Sequence, residues 1–252
     1  MNSSPILSVK DLVTRFSDNT YGLKGVSMEI TSGDFLIICG QNGSGKSLFC
    51  KHLNGLLRPT KGEVFFRGKP VAQNLRTVRA AIGMVFQDAE NQIVGQTVEE
   101  DIAFGPENLG KTGSELRERI ESALSITGLT EHRHQHPHTL SGGEKRRLCI
   151  GGVWAMRPDV LVLDEPFANL DYPGVQRVLE LIIRVHEEGK TIILVTHDLE
   201  KSLAHANRLA VFHEGRIVLD TSPEKGISQV HTWNVRTPYG KDRTLESYSW
   251  LS

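Results

Sequence analysis

The sequence is poor in several things, and each shortage excludes something. Cysteine occurs only three times in 252 residues, at Cys39, Cys50 and Cys149. That scatter offers neither a disulfide framework nor a metal-ligand motif, and it fits a reducing cytoplasm. No apolar run approaches the ~18 residues that a bilayer-spanning helix needs. The opening MNSSPILSVKDLV has neither the basic start nor the apolar stretch of a secretory signal. Charge of one sign is missing too: 29 Lys and Arg stand against 30 Asp and Glu, a formal net charge of −1. Such a surface has no field with which to hold nucleic acid or anionic lipid non-specifically. Nucleic acid is therefore not an expected partner, and membrane association is expected to run through a protein. No internal repeat or low-complexity block is present. What remains is an ordinary globular composition, 38% hydrophobic and 23% charged, long enough for one large α/β domain or two small ones.

Short apolar runs alternate with helix-period segments, as a βαβ architecture requires. Phe35–Cys39 (FLIIC), Val160–Leu163 (VLVL) and Thr191–Val195 (TIILV) read as buried strands; Glu63–Arg67 and Ile82–Phe86 read as further strands. A helix is predicted from Ser47, with Leu48, Phe49, Leu53 and Leu56 on its apolar side, stopping at Arg58-Pro59. Between about 97 and 157 the pattern is helical. There Leu116, Ile120, Ala123 and Leu124 form a stripe, with Ser114 the expected N-cap and Gly128 the expected stop. Another helix follows Pro173 and carries Val175, Val178, Leu179, Ile182 and Val185. Leu209–Phe212 and Arg216–Leu219 flank a Glu214-Gly215 turn and read as a hairpin. From Gly226 the pattern is lost. Residues 226–252 are polar with isolated Trp233, Tyr239, Tyr248 and Trp250, and are expected to be a tail that packs on the domain or on a partner.

Residues 40–47, GQNGSGKS, follow a buried strand and open a helix. They fit the phosphate-loop pattern G-x-x-x-x-G-K-[ST]. Gly40, Gly43 and Gly45 let the backbone amides of the loop, Asn42 and Ser44 included, turn toward phosphate oxygens without a Cβ in the way. The helix N-terminus adds a positive dipole end. Lys46 is the expected counter-charge to the β- and γ-phosphates, and the Ser47 hydroxyl an expected Mg²⁺ ligand. The alternative for such a run is a glycine-rich surface turn. Residues 161–166, LVLDEP, put two carboxylates at the end of a buried strand, where open parallel sheets bind ligands. Asp164 is expected to hold Mg²⁺ through water, and Glu165 to act as general base toward the attacking water. Alone, the pair reads equally well as solvated strand-end acids.

Between these two motifs lies LSGGEKRR, residues 140–147. The ordered set GQNGSGKS, Gln87, LSGGE, LVLDEP and His197 resembles the ABC ATPases, over roughly residues 6–225. The resemblance implies an α/β P-loop NTPase core with a mixed sheet. It also implies an inserted α-helical subdomain, at about 88–157, that carries the signature motif. Residues 1–225 would form a single ATPase domain and 226–252 a tail. Ser141, Gly142 and Gly143 would open a helix and form a second anion site there. In the family that site faces the γ-phosphate held by the other subunit, so two ATP molecules are sandwiched in a head-to-tail dimer. By the same resemblance Gln87 contacts Mg²⁺ or the attacking water, His197 reaches the γ-phosphate, and Asp171 belongs to a loop crossing the dimer interface. Ala168 stands where the family often has Ser. Phe16 lies where an aromatic, often tyrosine, stacks on adenine.

Two runs, NQIVGQTVEEDIAFGPENL (91–109) and GGVWAMRPDVLVLDEP (151–166), look like the energy-coupling-factor branch. That branch powers importers of vitamins or of cobalt or nickel ions. It implies an integral membrane coupling protein and a separate substrate-binding membrane protein as partners. It further implies a homodimer, or a heterodimer with a paralogous ATPase, at the cytoplasmic face of the membrane. Gln92–Asn108 would face the coupling protein. Glu99, Glu100 and Asp101 either meet basic residues there or form a solvated acidic helix start. HRHQHPH (132–138) is a metal ligand set if extended, and otherwise a solvated loop. Two other functions stay open: a soluble non-transport ABC ATPase, and a nucleotide-gated scaffold that does not hydrolyse. A GTPase is disfavoured because no N-K-x-D motif is present.

Overall fold

Strands that are apolar at every position must be covered on both faces. The computed structural model, which describes residues 4–88, 90–238, 245 and 249–251, arranges them accordingly. In chain order the elements are β1 (Leu7–Arg15), β2 (Tyr21–Ile30), β3 (Phe35–Gly40), α1 (Lys46–Leu53), β4 (Lys61–Phe66), β5 (Lys69–Pro70), α2 (Leu75–Ala81) and β6 (Ile82–Val85). Then come α3 (Val98–Asn108), α4 (Gly113–Thr127), α5 (Gly142–Trp154), β7 (Val160–Asp164), α6 (Tyr172–Glu187), β8 (Thr191–Val195), β9 (Arg208–His213) and β10 (Arg216–Thr221). Six strands form one sheet in the order β10-β9-β3-β8-β7-β6, parallel from β9 to β6 and closed by the antiparallel β9–β10 hairpin. The sheet is thus mixed, as expected.

The period-2 alternation of a strand then sorts its side chains between two cores. Phe35, Ile37 and Cys39 point into the same cluster as Leu161, Leu163, Ile192 and Leu194, beneath α5 and α6. Leu36 and Ile38 point the other way, with Val162, Val195 and Phe212, onto α1 and a second, antiparallel sheet of order β2-β1-β4-β5. Strands β1 and β2 are not evident in the sequence pattern. Their pairing shifts register between Val9 and Leu12, where Asp11 takes a φ of 47°, so apolar residues stop alternating with polar ones.

Helices α3, α4 and α5 form one excursion between the neighbouring parallel strands β6 and β7. The excursion is held by α5, whose buried residues lie all round it and which packs on α3, α4 and α6. Arg119 on α4 is buried and donates to the carbonyls of Ala155 and Met156, both at 3.1 Å, satisfying acceptors at the end of α5.

Two boundaries differ from expectation. Helix α1 ends at Leu53 rather than at Arg58, and Leu56 and Leu57 are exposed. Gly55, at φ +68°, has no room for a Cβ beside Leu75, so the chain turns there. Helix α4 begins at Gly113, with Thr112 at the N-cap position; Ser114 lies inside the first turn. Its stop is as read, since Gly128 takes the left-handed conformation. After Gly226 the described residues pack on the domain, one of the two outcomes expected of the tail: Val230 and Val235 are buried in the α5–α6 core, with Trp233, Leu245, Trp250 and Leu251 packed against it. Tyr239 and Tyr248 lie outside the described residues.

Candidate active site

The end of β3 and the start of α1 build the phosphate loop from backbone constraints. At Gly40, φ is +141° and a Cβ would meet the Phe212 carbonyl at 2.1 Å. At Gly45, φ is +104° and a Cβ would meet the Gly22 carbonyl at 2.8 Å. No other residue type fits either position without moving the backbone. The Glu214-Gly215 turn braces the loop from behind, with the Gly215 amide donating to the Ser44 carbonyl at 3.0 Å. The N-cap of α1 makes no side-chain bond, and its first turn holds no acid. Its leading amides are therefore open to an anion, without a competing carboxylate. Lys46 is 6% exposed and donates through Nζ to the carbonyls of Gly40 at 2.7 Å and Gln41 at 2.8 Å. Burial lowers its pKa, against the raising influence of Glu165 and Asp164.

Two acids close the other side. Burial raises the pKa of Asp164, with the Ser47 hydroxyl bonded to it acting in the opposite direction. Its Oδ1 is buried and has no hydrogen-bond partner among the described residues. A buried carboxylate oxygen with nothing to accept is ready for a cation. Asp164, the Ser47 hydroxyl and the Gln87 amide together offer the hard oxygen donors that Mg²⁺ takes alongside phosphate oxygens. Glu165 takes a φ of 48° directly after β7, with its amide donating to the Val195 carbonyl. Its Oε1 accepts from the His197 amide at 3.1 Å and from His197 Nδ1 at 2.8 Å. His197 itself is exposed, so its Nε2 edge is free to meet a ligand.

One cleft of about 500 Å³ is lined by Phe16, Asn42, Gly43, Gly45, Lys46, Ser47, Gln87, Asp164 and Glu165. Gly40 and Ser44 belong to the same loop but do not line the cleft. Tyr21, half-exposed, lines the same cleft as Phe16; the polar run before it concealed its position. Ser141, Gly142, Gly143 and Asp171 do not line this cleft. Ser141 caps α5 in a capping box with Glu144, and Asp171 caps α6 by accepting from the Gly174 amide at 3.0 Å. These two caps are neighbours, since a Cβ at Gly143 would lie 3.4 Å from Gly174 Cα.

A second residue unread in the sequence is Arg146. It is 4% exposed and reaches from α5 to donate to the carbonyls of Phe86 and Gln87, both at 2.7 Å. Arg146→Met leaves both acceptors without a donor at about 1–3 kcal/mol each when buried. We expect a fall in Tm of roughly 5–10 °C for a domain of this size. A melting curve that superposes on the parent's would refute that.

The histidine run is not extended. It breaks into turns at Thr130–His132 and Pro137–Thr139. His132 faces Glu144, His134 faces Glu99, and His136 stacks on His138 with ring centroids 4.3 Å apart. Among the described residues no group of three or more His, Cys, Asp or Glu is placed to hold a metal ion. The acids at the start of α3 are also committed. Glu99 pairs with Arg133, Glu100 completes a capping box with Thr97, and Asp101 accepts from the amides of Val94 and Gly95.

Residues 23–168 match the ABC transporter family model. The chain is 41% identical over 239 residues to the energy-coupling factor transporter ATP-binding protein EcfA of Methanocaldococcus jannaschii, covering 92% of this chain and 86% of that protein. It is 47% identical over 208 residues to EcfA1 of Clostridium perfringens, covering 81% and 74%. Among solved structures it is similar to cbiO1 of Clostridium perfringens, part of the ABC transporter complex cbiONQ. There the TM-score is 0.83 at 37% identity, over 91% of this chain and 93% of that one. It also matches a dimeric ATP-binding cassette in a post-hydrolysis state bound to ADP and Pi. For that chain the TM-score is 0.77 at 27% identity, over 86% and 98%.

Proposed function

Because this chain belongs to the ABC transporter family, as an ATP-hydrolysing subunit of the energy-coupling-factor type, we propose that it works as half of a head-to-tail dimer driving an importer of a vitamin or transition-metal ion. The observation that carries the dimer is the signature turn at Ser141–Gly143, which does not line the cleft of its own chain. That helix start, with Ser141 released from Glu144, would face the γ-phosphate only if another subunit presents it, whether an identical copy or a paralogue. The neighbouring caps at Ser141 and Asp171 would then lie at one interface.

In this reading ATP lays its phosphates on residues 40–47 and its base near Phe16. Lys46 exchanges its two carbonyl partners for phosphate oxygens. Ser47, Asp164 and Gln87 would hold Mg²⁺, which supplies charge neutralisation across the β- and γ-phosphates. Glu165, steadied through Oε1 by His197, takes the proton of a water attacking the γ-phosphorus in line. His197, Lys46 and the partner's signature turn stabilise the charge that develops.

No helix among the described residues is long and apolar enough to cross a membrane. A docking surface is therefore the route to the bilayer, at its cytoplasmic face. The groove between α2, α3 and α5 suits it. Val94 and Phe104, 58% and 53% exposed, line it with Leu109, Val153 and Met156. Gln92, on the same groove, grips the end of β6: its Oε1 accepts from the Phe86 amide and its Nε2 donates to the Met84 carbonyl. Movement in the groove would thus be felt at Phe86, the residue before Gln87. With Glu99, Glu100 and Asp101 engaged within the chain, apolar contact rather than an acidic patch would carry docking. Phe104→Glu is expected to cut recovery of the membrane partner roughly tenfold or more, as losing a buried aromatic anchor does. Undiminished recovery would remove the groove from the reading. The function itself is tested by recovering tagged Glu165→Gln protein with MgATP from detergent-solubilised native membranes. Co-purification of an integral coupling protein and a small substrate-binding membrane protein supports it. Recovery of soluble partners alone overturns the transport role.

A further inference from the structure

The end of the chain returns to two segments that matter for the composite site. The Trp250 ring packs on Tyr172 with centroids 5.1 Å apart. The Trp250 carbonyl accepts from Gln176 Nε2 at 2.8 Å and, at the long distance of 3.5 Å, from the Tyr172 hydroxyl. Lys201 Nζ lies over the same indole, 5.4 Å from its centroid. Tyr172 is the first residue of α6, directly after its cap Asp171. Lys201 sits four residues beyond His197 in the turn Leu199–Lys201, and pairs with Asp198 at 3.2 Å. The flanking residues fix the indole in place. Ser249 Oγ hydrogen-bonds His205 Nε2 at 3.0 Å and accepts from the Leu251 amide at 3.1 Å, while Leu251 packs on the core. One side chain therefore touches both the element that starts at Asp171 and the segment that follows His197.

Those two segments sit on one shared apolar core. Helix α6 is tied down by Val175, Val178 and Leu179, and the segment after β8 by Leu199 and Leu203. Apolar packing is non-directional and does not by itself hold two segment ends to the fraction of an ångström that a phosphate site needs. An aromatic ring stacked on one and capped by a cation from the other does so with few rotatable bonds.

We propose that Trp250 is a positioning residue, a clasp that holds the Asp171 loop and the His197 segment in register so that both meet the γ-phosphate side of the dimer together. This rests on the dimeric reading above. The clasp does not touch residues 40–47, so nucleotide binding to the open subunit should be insensitive to it, whereas closure and turnover should not.

The test uses the full-length chain. Trp250→Ala should lower kcat roughly 5- to 10-fold with KM for ATP changed less than about twofold, the pattern of an interaction made only on closing. In the Glu165→Gln background it should raise the ATP concentration needed for dimerisation, read by analytical ultracentrifugation, by a similar factor. Trp250→Phe, which keeps a ring on Tyr172, should restore most of both. Tyr172→Leu, at an exposed position, should reproduce the loss, and the double variant should add little to it. Should Trp250→Ala not fold, Tyr172→Leu carries the same comparison. The clasp is overturned if kcat stays within twofold, if the fall in kcat is fully accounted for by a lost folded fraction, or if the two substitutions are additive. Glu165→Gln protein that stays monomeric with ATP overturns the dimer, and the clasp with it. A dimerising parent with an unimpaired Trp250→Ala overturns the clasp alone.

Discussion

Glu165→Gln should lower kcat roughly 10²- to 10⁴-fold, the range for losing a positioned general base, while ATP stays bound and the dimer accumulates. The geometry makes this substitution unusually clean. The amide keeps the shape of the carboxylate and an oxygen at Oε1, so the His197 amide and Nδ1 keep their acceptor. Its positive φ is retained and the turn after β7 is not redesigned. What disappears is basicity, and with it the carboxylate assigned to accept a proton from the attacking water. Removing a negative charge near Lys46 and the phosphates also relieves repulsion, so affinity for ATP should hold or rise. Phosphate release and nucleotide titration, run side by side, check both halves. Turnover near that of the parent would remove Glu165 from the chemistry.

Lys46→Ala should have the opposite signature, weakening ATP binding itself by roughly 10²-fold. Two charge-assisted bonds to phosphate at about 1.5 kcal/mol or more each account for that factor, since 1.4 kcal/mol is tenfold. The loss extends to the empty protein, because the Gly40 and Gln41 carbonyls would lose their donor. Lys46→Ala should therefore melt lower even without nucleotide, whereas Glu165→Gln should not. Isothermal titration with MgATP settles the binding. An affinity within threefold of the parent's would mean that the loop amides alone hold the phosphates.

The sequence made the strands FLIIC, VLVL and TIILV legible because each is apolar on both faces and needs no partner to be recognised. GQNGSGKS, LVLDEP and LSGGE were legible because backbone geometry and charge fix their residue types locally. What was not legible depends on distance or irregularity. The bulge at Asp11 disguises β1 and β2. Arg146 stands inside the signature run, but its partners lie 60 and 59 residues away, and nothing local announces them. Tyr21 enters the cleft only because β2 pairs with β1 and sets it opposite Arg15. Val230 and Val235 lie in a stretch that reads as polar, and only the α5–α6 core gives them a place. The acids of α3 read as a surface feature, yet two of the three hold backbone amides of their own chain.

The Arg146 guanidinium carries a consequence for energetics as well as for shape. It bolts α5, whose first turn is the signature, to the strand end that bears Gln87, while Gln92 links that same strand end to the groove. Under the proposed docking, nucleotide and groove occupant would act on one stiff body, and any coupling between them would be mutual. If closure over ATP alters the groove's affinity for its occupant by some factor, occupancy alters the affinity for ATP by the same factor. A loaded membrane partner would then be sensed as tighter or weaker nucleotide binding, with no separate receptor for the signal.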